Sequence, residues 1–474
     1  MRGHLRVTEK NKGGIPTMSA SENLAGGGGS IDDVVARIER LPISWWHVKA
    51  RLIIGVATFF DGFDALTIAF VLPVLVPAWK LNGPQIGLLI SAGYLGQLGG
   101  ALFFGWIAER YGRIPAIVWS ILIFGVMSLV CAFAWDYDSL IAARVVQGFG
   151  LGGEVPVAAS YISEMVRAKG RGRFVLLYEL VFPIGLVATG LAGSWIVPRF
   201  GWQWMFVIGA VPALVAFFVQ RLLPESPRWL ATHGRSGAAQ AAMLRIEQAT
   251  ERSTGRPLPA PQVVVRSTHR LASWSDLFGP TYLRRTLVVW VIWFAAYFFN
   301  YGLVVWLPTI YSTVFHLPLQ QSLHYGLITQ AVGLLGALTC ALTIDHVGRR
   351  PWFAFAFAVN AIALGALFVL GPDSPERVLV FVSSGYFFVS VLSIGVYVYT
   401  PELYPTRARA IGVGTATAWL RFASILGPSI VGAIVGSGLG HVFLLFAAVA
   451  VVGAIITGLF AVETKGRILE DVSP

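Results

Sequence analysis

Long apolar stretches recur along this chain, and they limit its possible folds more than any other feature. A helix needs about 20 mostly apolar residues to cross a bilayer. Because a spanning segment must satisfy its own backbone hydrogen bonds, the pattern predicts an all-α integral membrane protein with twelve transmembrane helices. The stretches, each bounded by charged or turn-forming residues, lie at 50–77, 85–108, 114–134, 138–163, 174–197, 202–222, 286–314, 323–344, 351–370, 377–400, 409–436 and 440–462.

The charge content excludes a soluble protein of this size. Asp, Glu, Lys and Arg make up 12% of the 474 residues, whereas soluble domains usually contain about 25%. Hydrophobic residues make up 56%. The two cysteines, Cys131 and Cys340, are too few to hold a disulfide scaffold together. A polytopic membrane protein that contacts the lipid bilayer along its length is what remains.

The basic residues predict the orientation of the spans. Of the 35 lysines and arginines, Lys80, Arg199 and Arg377 lie on one side, and Arg144 and Arg421 lie inside spans. All the others lie on the opposite side, which the positive-inside rule assigns to the cytoplasm. We therefore expect a multi-pass protein of the plasma (inner) membrane with both termini cytoplasmic. The net charge of +11 then reflects topology and needs no nucleic-acid partner, although a weak attraction to anionic lipid is an alternative.

A polar segment after the sixth span predicts two six-helix bundles. The expected organisation is a cytosolic tail 1–49, a bundle 50–222, a cytosolic linker 223–285, a second bundle 286–462 and a tail 463–474.

The first tail carries two further expectations. No apolar core follows its basic residues before Ala50, so we expect no signal peptide, and Met18 is an alternative start. Ser30 followed by Asp33 predicts the cap of a short helix from Asp32 to Arg40. Its apolar face would contain Val34, Val35 and Ile38.

Two loops of similar sequence indicate an internal repeat. Glu109-Arg110-Tyr111-Gly112-Arg113 follows the second span, and Asp345-His346-Val347-Gly348-Arg349 follows the eighth. Both contain an acid, two residues, glycine and arginine, at the same point of a six-helix half. The repeat therefore covers the whole half.

The first of these loops resembles the G-x-x-x-D-R-x-G-R signature of the major facilitator superfamily, with Glu109 in place of Asp. Segments 144–154, 224–230, 401–407 and 463–467 resemble further motifs of its sugar-porter-like members. The resemblance covers essentially residues 45–470. It implies a secondary transporter that works by alternating access, with a small-molecule substrate, a proton gradient as its energy source and no cofactor or metal. We expect a monomer and no enzymatic activity.

A few ionisable side chains lie inside the predicted spans. Each costs several kcal/mol at bilayer depth unless it is paired or hydrated. The acids outnumber the bases, so some acids must be protonated part of the time, pair with a substrate cation or face water. This imbalance is the physical reason to expect proton coupling. The residues are Asp61, Asp64, Arg144, Glu154, Glu179 and Arg421.

The first span carries the principal proton-coupling candidates. Asp61 and Asp64 are three residues apart and share one helix face. The sequence 61–64 resembles the first helix of aromatic-acid and niacin proton symporters. Sugar:proton symporters carry a proton-coupling Asp at the position matching Asp64, and this resemblance implies that Asp64 pairs with Arg144 until it is protonated. A permanent salt bridge is the alternative for that pair, and a capping or hydrating role is the alternative for Asp61.

Two further acids are expected to contribute to coupling. Gln147 and Glu154 are seven residues apart on one face of the fourth span, which gives Glu154 a role as a second proton site or a gate residue. A hydrogen bond to helix backbone is the alternative for Glu154. Glu179 lies six residues after Arg173, so a solvated surface competes with coupling there.

The family resemblance assigns a cytosolic gate to charged side chains at the helix ends. Sequence alone would describe the same side chains as a solvated surface. They are Glu109, Arg113, Glu164, Arg173, Glu225, Arg228, Asp345, Arg349, Glu402 and Arg407.

The substrate site is predicted from the eleventh and seventh spans. Arg421 lies about a dozen residues into the eleventh span, a depth of roughly 18 Å at helical rise, where it could bind a substrate carboxylate. An internal ion pair is the alternative. The seventh span offers an aromatic lining for a flat metabolite, although lipid-facing packing also explains such rings. The candidates for the substrate site on this span are Trp293, Tyr297, Asn300 and Tyr301, and Gln147 of the fourth span joins them.

Several functions follow from these residues. The first hypothesis is proton-coupled uptake of a small carboxylated or aromatic metabolite, such as niacin or a benzoate. Sugar symport is disfavoured, because Ala295 and Ala296 stand where sugar porters place a glutamine pair. Proton-driven efflux of a cationic or lipophilic compound is a second hypothesis, and a non-transporting nutrient sensor is a third.

Overall fold

The computed structural model describes residues 30–167, 174, 177–178, 181–262, 274–405 and 408–466. The described residues form helices and loops, with no strand among them, which confirms the predicted all-α fold. The predictions for Met18, Arg173, Glu179 and Arg407 lie outside this part of the chain.

The helices of the first half follow a short amphipathic helix. We number all helices in chain order. The first eight are α1 Ile31–Glu39, α2 Trp45–Trp79, α3 Gly83–Tyr111, α4 Arg113–Ala132, α5 Tyr137–Met165, α6 Val181–Phe200, α7 Gln203–Gly209 and α8 Pro212–Leu222.

The linker contributes two helices, and the second half continues the pattern. Short 3-10 turns lie at Trp274–Phe278, Val304–Trp306 and Val435–Ser437. The remaining helices are α9 Pro227–Thr232, α10 Ser236–Thr254, α11 Leu283–Gly302, α12 Leu307–Thr313, α13 Leu319–Val347, α14 Arg349–Leu370, α15 Pro375–Glu402, α16 Arg409–Ile434 and α17 Leu439–Phe460.

Eleven helical stretches of the described chain are long and apolar enough to cross a membrane. Helix α5, the predicted fourth span, is not among them although it has 29 residues. It carries Arg144, Gln147 and Glu154, all of which are buried. The fourth span is therefore less apolar than the others because it carries these three side chains. It can still cross the membrane, since the three side chains are buried in the protein and do not face lipid.

Two predicted spans are interrupted in the structure. The seventh is divided into α11 and α12 by a 3-10 turn, and Pro308 is the second residue of α12. Proline weakens a helix, because it has no N–H to donate and its ring clashes with the carbonyl of the preceding turn. Pro212 has the same effect in the sixth span, where it begins α8.

Glycines allow the helices of each half to pack closely. A Cβ at Gly96 or Gly100 would collide with backbone of α5, and one at Gly148 or Gly152 would collide with backbone of α3. These glycines therefore bring the backbones of α3 and α5 into close contact. The packed pairs recur in the second half: α3 with α5 corresponds to α13 with α15, and α2 with α6 corresponds to α11 with α16.

The two halves contact each other closely at one end of the molecule. We call this the distal end; the proximal end carries α1, α9 and α10. At the distal end α3 packs on α16, and α6 packs on α13. The Ser91 hydroxyl donates to the carbonyl of Ile425 at 2.7 Å and lies 2.8 Å from the Ser429 hydroxyl. Gln320 donates to the Ser194 carbonyl at 3.3 Å.

Helix α1 is attached to the linker at the proximal end. Ser30 accepts a hydrogen bond from the backbone N–H of Asp33, which confirms the predicted cap. The apolar side of α1, including the three predicted residues, is buried. The Arg37 guanidinium donates to both carboxylate oxygens of Glu247 on α10, at 2.9 and 2.6 Å, and Arg40 donates at 2.6 Å.

Candidate functional site

A buried ion pair joins α2 and α5 in the first half. Arg144 Nη1 donates to Asp64 Oδ2 at 2.8 Å, and the two side chains are 3% and 2% exposed. Gln147 completes the group: its amide nitrogen donates to Asp64 Oδ1 at 2.8 Å, and its amide oxygen accepts from Arg144 at 2.8 Å. These three predicted residues therefore form one closed network.

Local sequence explains how an arginine fits between helices here. Gly93 of α3 faces the guanidinium, and a Cβ at that position would lie 2.9 Å from Arg144 Nη2. On α5, Arg144 and Gln147 are one turn apart, so both reach the same carboxylate. A buried charge of this kind is tolerated only when it is paired and hydrogen-bonded.

Asp61 and Arg421 lie beside this network. Asp61 is 5% exposed, one turn before Asp64, and its electrostatic neighbours are Arg421 and Asp64. The guanidinium of Arg421, on α16, donates to the side-chain oxygen of Gln97, on α3. This hydrogen bond joins the two halves. The alternative predicted for Arg421 was an internal ion pair, whereas its hydrogen-bond partner here is the amide of Gln97.

An aromatic row continues from α3 into α11. The rings of Tyr94 and Tyr301 have centroids 4.9 Å apart across the two halves. Tyr301 stacks on Tyr297 at 5.9 Å, and Tyr297 stacks on Trp293 at 5.6 Å. Two of the rings are anchored in their own half, because the indole of Trp293 donates to Thr400 at 2.9 Å and the Tyr297 hydroxyl donates to the Ser393 carbonyl at 3.1 Å.

The predicted residue Asn300 faces a polar group that sequence reasoning missed. The Tyr386 hydroxyl of α15 lies 3.4 Å from Asn300 Oδ1 and 3.2 Å from Gln330 Oε1. All three side chains are buried. Four further uncharged side chains were missed, because they belong to no recognised motif and their partners lie on distant segments: Gln97, Tyr94, Gln330 and Tyr386.

Glu154 contacts a different set of residues. The Thr58 hydroxyl of α2 donates to Glu154 Oε1 at 3.0 Å and also forms a short contact with the Tyr178 hydroxyl. All three side chains are at most 1% exposed. The structure thus brings Glu154 to a side-chain hydroxyl, and this polar cluster is separate from the Asp64 network.

A charged cluster closes the proximal ends of α3, α4 and α5. Arg113 forms ion pairs with Glu164 at 2.9 Å and with Glu109 at 2.8 Å. Glu225 accepts from the backbone N–H of Arg113 at 2.9 Å and of Ile114 at 3.1 Å, and so caps α4. Burial raises the pKa of Glu225, although these backbone hydrogen bonds oppose the shift.

The second half repeats this cluster. Arg349 pairs with Glu402 and with Asp345, each at 2.9 Å. Glu463 accepts from the backbone N–H of Arg349 at 3.1 Å and of Arg350 at 3.0 Å. Glu463 is the counterpart of Glu225 and was not among the predicted gate residues, although its motif was recognised.

These charged contacts act within halves. Arg113 and Arg349 each pair with carboxylates of their own half. The remaining described gate candidate, Arg228 of α9, lies 3.6 Å from Glu39 of α1. The predicted gate residues therefore form two equivalent clusters at the proximal end.

Comparison with protein families gives a match over almost the whole chain. The profile of the family described as "Sugar (and other) transporter" matches residues 52–474.

Individual relatives cover most of this chain as well. It is 33% identical over 450 residues to the niacin transporter NiaP of Acinetobacter baylyi, which covers 93% of this chain and 99% of the relative. It is 27% identical over 415 residues to the 4-hydroxybenzoate transporter PcaK of the same organism, with 85% and 88% coverage.

Among solved structures, the chain is similar to the xylose transporter XylE from E. coli in a partially occluded inward-open conformation. The TM-score is 0.69 and the identity 19%, over 90% of this chain and 100% of the other. This similarity concerns the fold.

Proposed function

Because the chain belongs to the sugar (and other) transporter family of the major facilitator superfamily, it is a multi-pass membrane transporter and not an enzyme, and we propose that it moves a small carboxylated or aromatic metabolite together with protons. The two bundles 50–222 and 286–462 are the units that rock against each other in alternating access. The proximal end, with both tails, lies in the cytoplasm. Transport draws its energy from the proton gradient across the plasma (inner) membrane, and the chain works as a monomer.

The Asp64–Arg144–Gln147 network carries the coupling part of the proposal. Its carboxylate and guanidinium are within 2.8 Å of each other and almost fully buried. Breaking such a pair by removing one charge costs about 3–5 kcal/mol, since the other charge stays buried without a partner. A proton on Asp64 removes the carboxylate charge, and the amide oxygen of Gln147 still accepts from Arg144. Protonation thus weakens the contact between α2 and α5 that holds one conformation.

Arg421 and the aromatic row carry the substrate part. Arg421 lies at the junction of the halves beside the Tyr94–Tyr301 pair. A guanidinium binds a carboxylate through two parallel hydrogen bonds, and a row of rings favours a flat apolar body. Niacin and 4-hydroxybenzoate, named in two relatives, combine these two features.

Uptake by the purified protein in proteoliposomes tests the coupling. A panel of labelled metabolites that includes nicotinate and 4-hydroxybenzoate is offered outside the proteoliposomes. An inward proton gradient should make the transported compound accumulate inside to several times its equilibrium level. A protonophore should abolish this accumulation. Equal accumulation with and without the gradient would contradict proton symport.

The variant Asp64→Asn tests the assignment of the coupling residue. It keeps the shape of the side chain but removes the titratable group, so accumulation should be lost while substrate exchange persists. Asp138→Asn is the matched control, because Asp138 is an exposed acid on the same helix as Arg144. Unchanged accumulation in Asp64→Asn would remove Asp64 from the mechanism.

A cationic substrate is the second candidate, and Asp61 favours it. This buried carboxylate has Arg421 and Asp64 as its electrostatic neighbours and lies in the same region as the aromatic row. Efflux would then exchange a lipophilic cation for protons. Accumulation of a fluorescent cation in inverted vesicles whose lumen is acidified, and its loss in Asp61→Asn, would favour efflux over uptake.

A further inference from the structure

An apolar groove runs between three helices of the second half, away from the ion-pair network. It has a volume of about 620 Å³ and is lined by α11, α16 and α17. Leu287 of α11 and Val452 of α17 are 48% and 49% exposed along its length. Trp290 and Trp419 also line it, with ring centroids 5.4 Å apart. The groove therefore opens sideways, at a depth where these helices face lipid.

Arg284 lies at the proximal mouth of the groove. Arg284 precedes Leu287 and Val291 by three and seven residues, so all three lie along one face of α11. Its guanidinium lies 5.4 Å from the ring centroid of Phe460, the last residue of α17, and donates to the Phe460 carbonyl at 3.3 Å. The charge is thus held between α11 and α17, where the groove begins.

We propose that this groove binds one anionic phospholipid, with an acyl chain between α11 and α17 and the phosphate on Arg284. The lining residues of α11 are apolar from Leu287 to Phe294, a separation of about 10 Å along the helix. Arginine binds phosphate oxygens through paired hydrogen bonds, and basic positions at helix ends recruit anionic headgroups. An anionic phospholipid carries an acyl chain and a phosphate in one molecule, and so it matches an apolar groove with a cation at its mouth.

The site is distinct from the proposed substrate path. Ala295 lines the groove, whereas Trp293 and Tyr297 turn to α15, where they bond to Thr400 and Ser393. Lipid in the groove would contact both α11 and α16, the two helices that carry the aromatic row and Arg421. Occupancy would thus stabilise the packing of these helices without blocking the junction of the halves.

Native mass spectrometry of the purified full-length protein tests the proposal. Equal amounts of phosphatidylglycerol and phosphatidylcholine with the same chains are added, and the lipids retained after mild activation are counted. In the wild type, the species with one bound phosphatidylglycerol should be at least three-fold more abundant than the species with one bound phosphatidylcholine. Arg284→Gln should bring the two lipids to the same level, and Ala448→Phe, which fills the groove, should reduce both.

Arg221→Gln is the matched control, because Arg221 is also exposed at the end of a span and lies 4.0 Å from a phenylalanine ring centroid. It should retain the wild-type preference. Glycerophosphoglycerol, which has the headgroup without chains, should not compete. A photoactivatable phosphatidylglycerol should label α11 or α17 of the wild type. Equal retention of the two lipids, competition by the free headgroup, or labelling confined to other helices would overturn the proposal.

Discussion

At the scale of single residues, Arg421 and Gln97 stand out because one hydrogen bond between them joins the two halves. Gln97 is 4% exposed and Arg421 is half-buried, so this contact is shielded from competing water. An amide is a weaker partner for a guanidinium than a carboxylate is. A substrate carboxylate can therefore displace Gln97, and the displacement would link substrate binding to the separation of α3 from α16.

Gln97→Leu tests this competition. Without the amide oxygen, Arg421 loses its internal partner, and a carboxylated substrate no longer has to displace it. A hydrogen bond to a charged group contributes about 1.5–3 kcal/mol. The KM for counterflow of a carboxylated substrate should therefore fall roughly tenfold.

The same change at an amide away from the candidate site provides the control. Gln321→Leu removes a side chain that donates to the Tyr325 hydroxyl at 3.3 Å, and it should leave the KM for the carboxylate within about two-fold. A KM that rises in Gln97→Leu would show that Gln97 helps to hold the substrate.

At this scale, charged side chains inside spans were the clearest signal that the sequence offered. Asp64 and Arg144 were predictable because ionised residues are rare inside spans, and a family resemblance paired them. Gln97 and Tyr386 act only through contacts between distant segments, which no local pattern records. The same is true of the hydroxyl of Thr58, which is the partner of Glu154.

At the scale of elements, the fold uses equivalent caps in its two halves. Glu225 closes the first turn of α4, and Glu463 closes that of α14. Each cap lies beside an arginine paired with a carboxylate of the preceding or following helix. The clusters hold three helix ends together within a half, so that each half can move as a rigid unit.

Helix α1 is attached differently, with one carboxylate of α10 binding both Arg37 and Arg40. Glu247 accepts from both Arg37 and Arg40 and is itself 6% exposed. Replacing it by Gln would remove this charge from both guanidinium groups and leave Arg37 with only the longer pair to Asp33, at 3.6 Å. Because breaking a buried pair costs about 3–5 kcal/mol, we expect α1 to exchange its amide hydrogens at least ten-fold faster in Glu247→Gln. Gln248→Ala, an exposed change on the next residue, should have no effect.

The same contact predicts a pH dependence. Burial alone would raise the pKa of Glu247, but the hydrogen bonds from Arg37 and Arg40 outweigh it, and the pKa lies below its ordinary value. The pairing therefore stabilises α1 above the unfolded pKa and is lost as the pH falls through the folded one. Exchange of α1, corrected for its intrinsic pH dependence, should accelerate only under acidic conditions. A constant corrected rate down to full protonation would show that α1 is held by its apolar face alone.

Element boundaries show where sequence patterns stop being informative. Apolar length located the spans, because lipid imposes a length on every segment that crosses it, and eleven helical stretches of the described chain are long and apolar enough to do so. It did not predict the breaks at Pro212 and Pro308, since long membrane helices also tolerate proline, as Pro73 and Pro77 within α2 demonstrate. Whether a proline breaks a span depends on the neighbours that satisfy the freed backbone groups.

At the scale of the whole molecule, the two halves meet along glycine-rich surfaces at the distal end. Gly83 and Gly87 of α3 lie against the backbone of α16, and Gly432 lies against α3 in return. Such surfaces pack without side-chain interlocking and can separate and close again. The distal end is thus closed in this structure by contacts suited to a reversible movement.

Gly87→Leu should open that end. Its Cβ would lie 2.6 Å from the Pro428 carbonyl and 3.1 Å from the Cα of Ser429, so α3 and α16 must move apart. A Ser429→Cys reporter at the seam should then react with a membrane-impermeant thiol reagent several-fold faster than in the Gly87 background. The two native cysteines, Cys131 and Cys340, are buried and contribute little labelling.

Gly105→Leu is the control for this experiment, because it changes the same helix at a point where a Cβ meets nothing within 4 Å. It should leave the reaction rate of Ser429→Cys unchanged. In intact cells the reagent should reach the reporter from outside, whereas Ser236→Cys on α10 should react only after permeabilisation. Such a pair of results assigns the distal end to the outside and the linker to the cytoplasm. Labelling of both positions in intact cells would contradict the orientation, and equal rates for Gly87→Leu and Gly105→Leu would show that glycine contacts do not keep the distal end closed.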